Sequence, residues 1–143
     1  MTDKPHESAK QSPITARQLG ESERLDTLPR HFGGRGMLQV EFSIYDALRE
    51  LADGYRGGYW HYYQLSNGGF YMAPDTDTPF RLSVAGNGFS GSLSADATGI
   101  VASLFGINRI AHIPDQRCIE HYYLLRDFAL LHAEQSSIFR AID

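Results

Sequence analysis

The sequence predicts an α+β protein in which a small antiparallel sheet of three or four strands packs with three main helices and a short C-terminal helix. Asn67 and Gly68 stand between two runs of aromatic residues, which is the strongest short-range signal for a β-hairpin. Apolar residues recur at steps of three and four in residues 37–52 and in two later segments, as on the buried side of a helix. Apolar and polar residues alternate in 80–84, which predicts a further half-buried strand.

Composition limits the domain count and the kinds of partner. The 143 residues suffice for one core, and no apolar run approaches the ~18 residues that span a bilayer. Residues 1–24 are polar without apolar periodicity, so we expect a flexible tail with no secretory signal, followed by a single domain in 25–143. The lone Cys118 cannot form an internal disulfide, which predicts a cytoplasmic protein. The 13 bases and 17 acids are scattered, which favours neither a DNA-binding surface nor a DNA mimic.

The first helix is predicted in residues 37–52. Its apolar stripe consists of Met37, Val40, Ile44, Ala47, Leu48 and Leu51. Gly54 follows as its stop. Residues 27–36 form a lead-in that Leu28 and Phe32 anchor, and the glycines in it are expected to end any regular structure.

The central hairpin is predicted from strands at residues 59–65 and 70–73, entered through Gly57 and Gly58 and followed across the turn by Gly69. If Asn67 and Gly68 are the two loop residues of a type I′ turn, Leu65 faces Phe70. One face then carries His61, Tyr63, Leu65, Phe70 and Met72. The other carries Trp60, Tyr62, Gln64 and Tyr71. Both faces are aromatic, so the second is either covered by a further segment or is a surface for a partner.

A second hairpin leads into the second helix. Its strands, residues 80–84 and 89–93, flank the turn at Asn87, and the first of them is expected to join a face of the central hairpin. Ser94 is predicted to cap the second helix, with Asp96 in the first turn, where its charge suits the helix dipole. Gly99 and Gly106 weaken this helix but permit a neighbour to approach closely.

The remaining chain is predicted to be helical. Pro114 breaks it, and Asp115 can cap a third helix in residues 116–132. A last helical turn follows in residues 136–142.

The sequence contains no motif for catalysis, a cofactor or a metal. No HExxH, CxxC or GxSxG pattern occurs, and no two carboxylates are spaced for acid–base work. Cys118 lies on an apolar stripe, where a buried, inert thiol is expected. We therefore predict no catalytic residue, no cofactor and no metal ligand.

Three segments of the chain, GGYWHYYQLSNGGFYMAP, GNGFSGSLSADATGIVASLF and HYYLLRDFALLHAEQSSIFRAID, strongly resemble the ArdB/KlcA antirestriction family. The resemblance covers about residues 25–143 and implies a small antiparallel sheet with several helices. It also implies that the protein relieves type I restriction of incoming plasmid or phage DNA. The expected partner is the type I restriction machinery or a host factor linked to it, reached by protein contact rather than by DNA mimicry. No strong DNA binding, no membrane and no enzyme active site is implied.

Two sets of residues are predicted to matter, a structural set and a candidate interaction surface. The structural set is Gly57, Gly58, Asn67, Gly68, Gly69 and Ser94. The candidate surface is Trp60, Tyr62, Gln64, Tyr71 and Asp96, and we expect its aromatic members to bear on function if they are exposed. Gln64 stands where the resemblance implies Glu in other family members, so this chain lacks a negative charge at that position.

Two other functions remain open at this point. The chain could be a DNA-binding accessory protein of a mobile element, with its scattered arginines on phosphates. It could also be an unrecognised enzyme, such as a hydrolase that uses His61 or Asp96.

Overall fold

Four helices and five strands occur in the part of the chain that the computed structural model describes, residues 13–113 and 116–143. The strands are β1 (Ala16–Gln18), β2 (Trp60–Leu65), β3 (Phe70–Pro74), β4 (Phe80–Val84) and β5 (Phe89–Leu93). The helices are α1 (Glu21–Leu51), α2 (Ala95–Arg109), α3 (Gln116–Ala129) and α4 (Gln135–Ile142). The predicted α+β class is confirmed, whereas the predicted cap at Asp115 lies outside the described residues.

The strands form two antiparallel sheets instead of the single sheet that was predicted. One has the order β1-β2-β3 and the other pairs β4 with β5, so the predicted pairing of 80–84 with the central hairpin is wrong. The third strand of the larger sheet comes from residues predicted to be a flexible tail. Leu19 is buried, and its N–H donates to the Tyr62 carbonyl at 2.8 Å. These contacts hold β1 against β2, and α1 begins three residues later, at Glu21. The prediction of a flexible tail is therefore wrong for residues 16–24.

The central hairpin has a register one residue away from the predicted one. Tyr63 pairs with Tyr71, and Gln64 pairs with Phe70. Gly68 has a φ of 97°, but Asn67 does not have a positive φ, so the turn is not type I′. The Gly68 N–H donates to the Leu65 carbonyl at 3.0 Å, and the Leu65 N–H donates to the Gly69 carbonyl at 2.8 Å. This is a three-residue loop with a glycine bulge, and it moves Tyr71 to the opposite face.

Helix α1 begins sixteen residues before the predicted start at Met37 and is divided into two arms. Gly33 interrupts it with φ 76° and ψ 167°. Pro29 also lies inside the helix, where its missing N–H weakens the hydrogen-bond ladder. The glycines of the lead-in were expected to end regular structure, although the chain is helical on both sides of Gly33. Phe32 is buried as predicted, and the side chain of Leu28 is not among those described.

Helix α2 is held close to both the sheet and α1 by its two glycines. A Cβ on Gly99 would lie 2.3 Å from the Met72 carbonyl oxygen, and one on Gly106 would lie 2.6 Å from Ile44 Cγ1. These contacts confirm the predicted close approach. The Ser103 hydroxyl accepts from the Met72 N–H at 3.1 Å and donates to its carbonyl at 3.3 Å. Helix α2 thereby satisfies and covers backbone groups on the outer edge of β3.

The observed starts and ends of the later helices agree in part with the predicted ones. Ser94 caps α2 as predicted, since its hydroxyl accepts from the Ala97 N–H at 3.1 Å. Helix α3 ends at Ala129, three residues before the predicted end, and Cys118 on it is buried as expected. Among the described residues, no helix is both long enough and apolar enough to cross a bilayer.

Candidate functional site

The aromatic residues of the predicted interaction surface are not exposed, and its members do not lie on a single face; the side chain of Asp96 is 42% exposed. Trp60, Tyr62 and Tyr71 keep only 3%, 2% and 2% of their surface accessible, and Gln64 is half-buried. The first two and Gln64 lie beneath α1, whereas Tyr71 lies on the opposite face with Asp96. Of the two alternatives for this face, a covered face is therefore the correct one, and the condition of exposure on which a role for the three aromatic residues depended is not met. The register shift separated its members, and the two arms of α1 covered part of it.

The hairpin face that α1 covers, called the α1 face, has two neighbouring hydroxyl groups, those of Tyr45 and Tyr62, beside the carboxylate of Glu41. The Tyr62 hydroxyl donates to Glu41 on the second arm of α1 and lies 3.1 Å from the Tyr45 hydroxyl. Burial, together with the hydrogen bond to Glu41, raises the pKa of Tyr62 far above its ordinary value, so the phenol stays protonated. Arg24 on the first arm lies over the Tyr62 ring at 3.9 Å and donates to the Tyr59 hydroxyl.

Gln64 is occupied by internal contacts on the same face. Its carbonyl oxygen lies 2.9 Å from His31 Nε2, and its amide nitrogen donates to the Gly69 carbonyl at 2.9 Å. Burial lowers the pKa of His31, and the nearby charge of Arg117 acts in the same direction, against the raising effect of the Gln64 hydrogen bond. A lowered pKa favours the uncharged imidazole of His31, and the uncharged amide of Gln64 can hydrogen-bond to it without the charge that a glutamate would bring.

On the other face, Tyr71, Asp96 and His132 form a closed network. The Tyr71 hydroxyl donates to Asp96 Oδ1 at 2.7 Å, and His132 Nε2 lies 2.8 Å from Asp96 Oδ2. The Glu134 N–H donates to His132 Nδ1 at 2.9 Å, so Nε2 carries the ring proton and donates to the carboxylate. Burial alone would raise the pKa of Asp96, but the bonds from His132 and Tyr71 outweigh it and the pKa lies below its ordinary value.

This network leaves little scope for proton transfer to a substrate. Both ring nitrogens of His132 are engaged within the chain, and its side chain is only 12% exposed. His61, the other residue considered for a hydrolase, pairs with Asp75 at 2.9 Å and not with Asp96. Within residues 13–113 and 116–143, no three His, Cys, Asp or Glu side chains are grouped to hold a metal ion.

The predicted structural residues fix the hairpin to the helices. Gly57 and Gly58 have φ values of 96° and 130°, as a chain entering a strand at a sharp angle requires. The Asn67 amide donates to the Leu124 carbonyl of α3 at 2.9 Å. A Cβ on Gly69 would lie 2.9 Å from the Leu124 Cβ, so glycine allows the turn to rest on α3.

An open groove lies directly above Tyr62, between the two arms of α1. We call it the kink groove, because the interruption at Gly33 separates its walls; its volume is about 260 Å³. Its lining consists of Arg24, Leu25, Pro29, Gly34, Met37, Leu38, Glu41 and Tyr62. Leu25 and Leu38 are 79% and 54% exposed, and Phe42, one turn after Leu38, is 63% exposed. This combination of a concavity and exposed apolar side chains is typical of a contact surface.

Two apolar residues that lie outside the predicted stripe of the first helix indicate this groove in the sequence. Leu38 and Phe42 are four residues apart and lie off the apolar stripe of the first helix. Two large apolar residues on the polar side of an amphipathic helix indicate a second contact. The groove could not be found from this pair alone, because its other wall belongs to a segment predicted to be a tail and an irregular lead-in.

Comparison with known proteins places the chain in a family. A family model described as antirestriction protein matches residues 53–143. The chain belongs to the antirestriction protein family. Two proteins of Escherichia coli named antirestriction protein KlcA are each 48% identical to it, over 136 and 139 residues. Each match spans 92% of this chain, with 96% of the first relative and 95% of the second covered.

A solved structure extends the likeness from sequence to fold. It matches with a TM-score of 0.86 and 48% identity, covering 94% of this chain and 98% of the other. That structure is described in work on the KlcA and ArdB proteins, which show a novel fold and antirestriction activity against Type I DNA restriction systems in vivo but not in vitro. The segment matched by the family model contains the hairpin and the Asp96 network, whereas Tyr62 is the only lining residue of the kink groove inside it.

Proposed function

We propose that this antirestriction family member relieves Type I DNA restriction of incoming plasmid or phage DNA inside the cell, and that it does so by binding a protein. The observation that carries the proposal is the likeness to the KlcA and ArdB structure over nearly the whole of both chains. The partner is the Type I restriction machinery or a host factor linked to it, and the site of action is the cytoplasm.

The relatives' activity in vivo but not in vitro supports contact with a cellular protein over DNA mimicry. A DNA mimic occupies a DNA-binding cleft through dense negative charge, and it needs no further component of the cell to do so. In this chain the net charge is −4, and several surface acids are neutralised by pairing, as in Arg17–Glu23, Arg49–Asp46 and Arg109–Glu50. Pairing of this kind works against the dense, regular negative charge that a DNA mimic needs.

The kink groove is the surface we assign to this contact. Trp60, Tyr62 and Tyr71 are buried, and both carboxylate oxygens of Asp96 already accept hydrogen bonds within the chain. The groove instead combines exposed Leu25 and Leu38 with a half-buried carboxylate. Apolar anchors around a few polar groups are the usual composition of a protein-binding site. No bond is made or broken in this proposal, and we assign no catalytic residue, cofactor or metal.

Plating of phage tests the proposed function. Unmodified phage is plated on a host with a Type I restriction system, with and without expression of the chain, and phage already modified by that system serves as the control. We expect expression to raise the plating of unmodified phage and to leave that of modified phage unchanged. Equal plating of unmodified phage with and without the protein, at verified expression, would reject the function.

A further inference from the structure

The carboxylate of Glu41 is the polar group in the kink groove with the fewest internal partners. Within the described part of the chain, its one hydrogen bond is from the Tyr62 hydroxyl to Oε2, which leaves Oε1 without a partner. It is half-buried, and a half-buried carboxylate is stabilised by a cation that approaches from the open side.

The positive charge in the same groove is already engaged. The Arg24 guanidinium lies 3.9 Å from the centre of the Tyr62 ring and 5.2 Å from that of Tyr59, and it donates a hydrogen bond to the Tyr59 hydroxyl. Two aromatic faces and one hydroxyl oxygen thus surround this charge. Arg24 and Glu41 form no ion pair with each other in the described structure, so the charge of Glu41 remains available.

Apolar side chains stand on both sides of that carboxylate. Leu25 and Pro29 belong to one wall, and Met37 and Leu38 belong to the other. Phe42 extends the second wall by one helical turn. A segment that fills this groove needs large apolar side chains toward the walls and one positive charge toward its centre.

We propose that the kink groove binds a segment of the partner protein in which a lysine or arginine lies between large apolar residues, with Glu41 as the acid that binds the basic side chain. This proposal rests on the proposed function, and it adds the chemistry of the partner. The argument for the occupant is charge complementarity, because the groove presents an available carboxylate within an apolar lining.

Opposite charges placed at Leu38 test the sign of the partner. Leu38 is 54% exposed, so both Leu38→Glu and Leu38→Lys are expected to fold, and both remove the same apolar contact. A basic segment is attracted by the first variant and repelled by the second. At limiting expression we expect relief of restriction to be about fivefold greater for Leu38→Glu than for Leu38→Lys.

Leu130 provides the matched control, because it is 53% exposed and lies outside the groove lining. Leu130→Glu and Leu130→Lys are expected to relieve restriction equally. Equal activity of the two Leu38 variants would overturn the proposal, and so would greater activity of Leu38→Lys, which is the result expected for an acidic segment or for DNA. If the unaltered protein gives no relief, the proposed function itself fails, and that outcome is separate.

A second variant tests Glu41 directly. Glu41→Gln keeps an oxygen that can accept from the Tyr62 hydroxyl but removes the charge. We expect an unchanged unfolding temperature and about a tenfold loss of relief, because a charge pair at the centre of an interface is lost. Full relief by a folded Glu41→Gln variant would show that the groove does not bind a basic side chain through this residue.

Discussion

Each face of the β2–β3 hairpin has a tyrosine that donates a hydrogen bond to a carboxylate, but the two carboxylates differ in how many partners they have. On one face the Tyr71 hydroxyl donates to Asp96, which also accepts from His132, and the backbone of Glu134 closes the network. On the other face the Tyr62 hydroxyl also donates to a carboxylate, but Glu41 lines an open groove. Burial raises the pKa of both tyrosines, so a perturbed pKa does not distinguish the faces. What distinguishes them, within the described residues, is that both carboxylate oxygens of Asp96 accept hydrogen bonds, whereas only Oε2 of Glu41 does.

The largest expected effect is a loss of stability on the hairpin face that carries Tyr71 and Asp96. Asp96→Ala leaves the buried Tyr71 hydroxyl and the nearly buried His132 ring without their acceptor. We expect the free energy of unfolding to fall by about 2 kcal/mol, measured by chemical denaturation. The exposed Asp127 on α3 gives the control, since Asp127→Ala is expected to change stability by less than about 0.5 kcal/mol. A loss as small for Asp96→Ala as for the control would show that the network does not support the fold.

The next effect concerns the interruption that opens the groove. Gly33 has a φ of 76°, and an added Cβ would meet no atom within 4 Å, so the cost of Gly33→Ala is that of the backbone conformation alone. We expect a loss of about 1 kcal/mol in the free energy of unfolding and a reduced relief of restriction, because the arms of α1 change their angle.

Gly34 is the matched control for that change. It is the next residue, its φ is not positive, and an added Cβ there also meets nothing within 4 Å. Because Gly34 lines the groove, it serves as a control for stability alone, and we expect Gly34→Ala to keep the free energy of unfolding. An equal loss of stability in Gly33→Ala and Gly34→Ala would show that the positive φ at Gly33 carries no cost for alanine.

The smallest expected effect is a pH dependence of the free energy of unfolding, caused by His31 on the α1 face. Burial lowers the pKa of His31 in the folded protein, so near pH 6.5 the unfolded chain binds more protons at this residue. His31 therefore contributes stability above about pH 6.5, and that contribution is lost as the pH falls toward the lower folded pKa. We expect the unaltered protein to lose up to about 1 kcal/mol more stability between pH 7.5 and 5.5 than His31→Gln does.

Denaturation curves at several pH values measure this difference in slope. An unchanged slope for His31→Gln would contradict the assignment of a half-buried His31 with a lowered pKa.

The fold could be predicted where one local rule decided the structure. The cap of α2 at Ser94 and the close approach at Gly99 each depend on a few neighbouring residues, and both are confirmed. The hairpin was predicted as an element but not in register. An Asn-Gly pair fits both a two-residue turn and a three-residue turn, and the contact of Asn67 with Leu124, fifty-seven residues away, favours the latter.

The site could not be predicted because it depends on contacts between distant segments. A polar strand of three residues gives little local signal, and β1 is fixed instead by its pairing with β2 and by the burial of Leu19. The glycines of the lead-in indicate the end of regular structure, so the first arm of α1 was predicted to be partly tail and partly irregular. Without that arm the groove has only one wall, and Tyr62 appears as part of an exposed face when it is in fact the groove floor.

The central claim is that the protein contacts its partner through the kink groove and not through other apolar surface. Relief of restriction by the double variant Leu38→Ala/Phe42→Ala tests it most directly against Tyr123→Ala/Leu130→Ala, a pair of similar exposure on α3 and just beyond it. At equal levels of folded protein, we predict that the first double variant loses about tenfold or more of the relief and that the second keeps it. Full relief by the first variant, or an equal loss in both, would contradict the account.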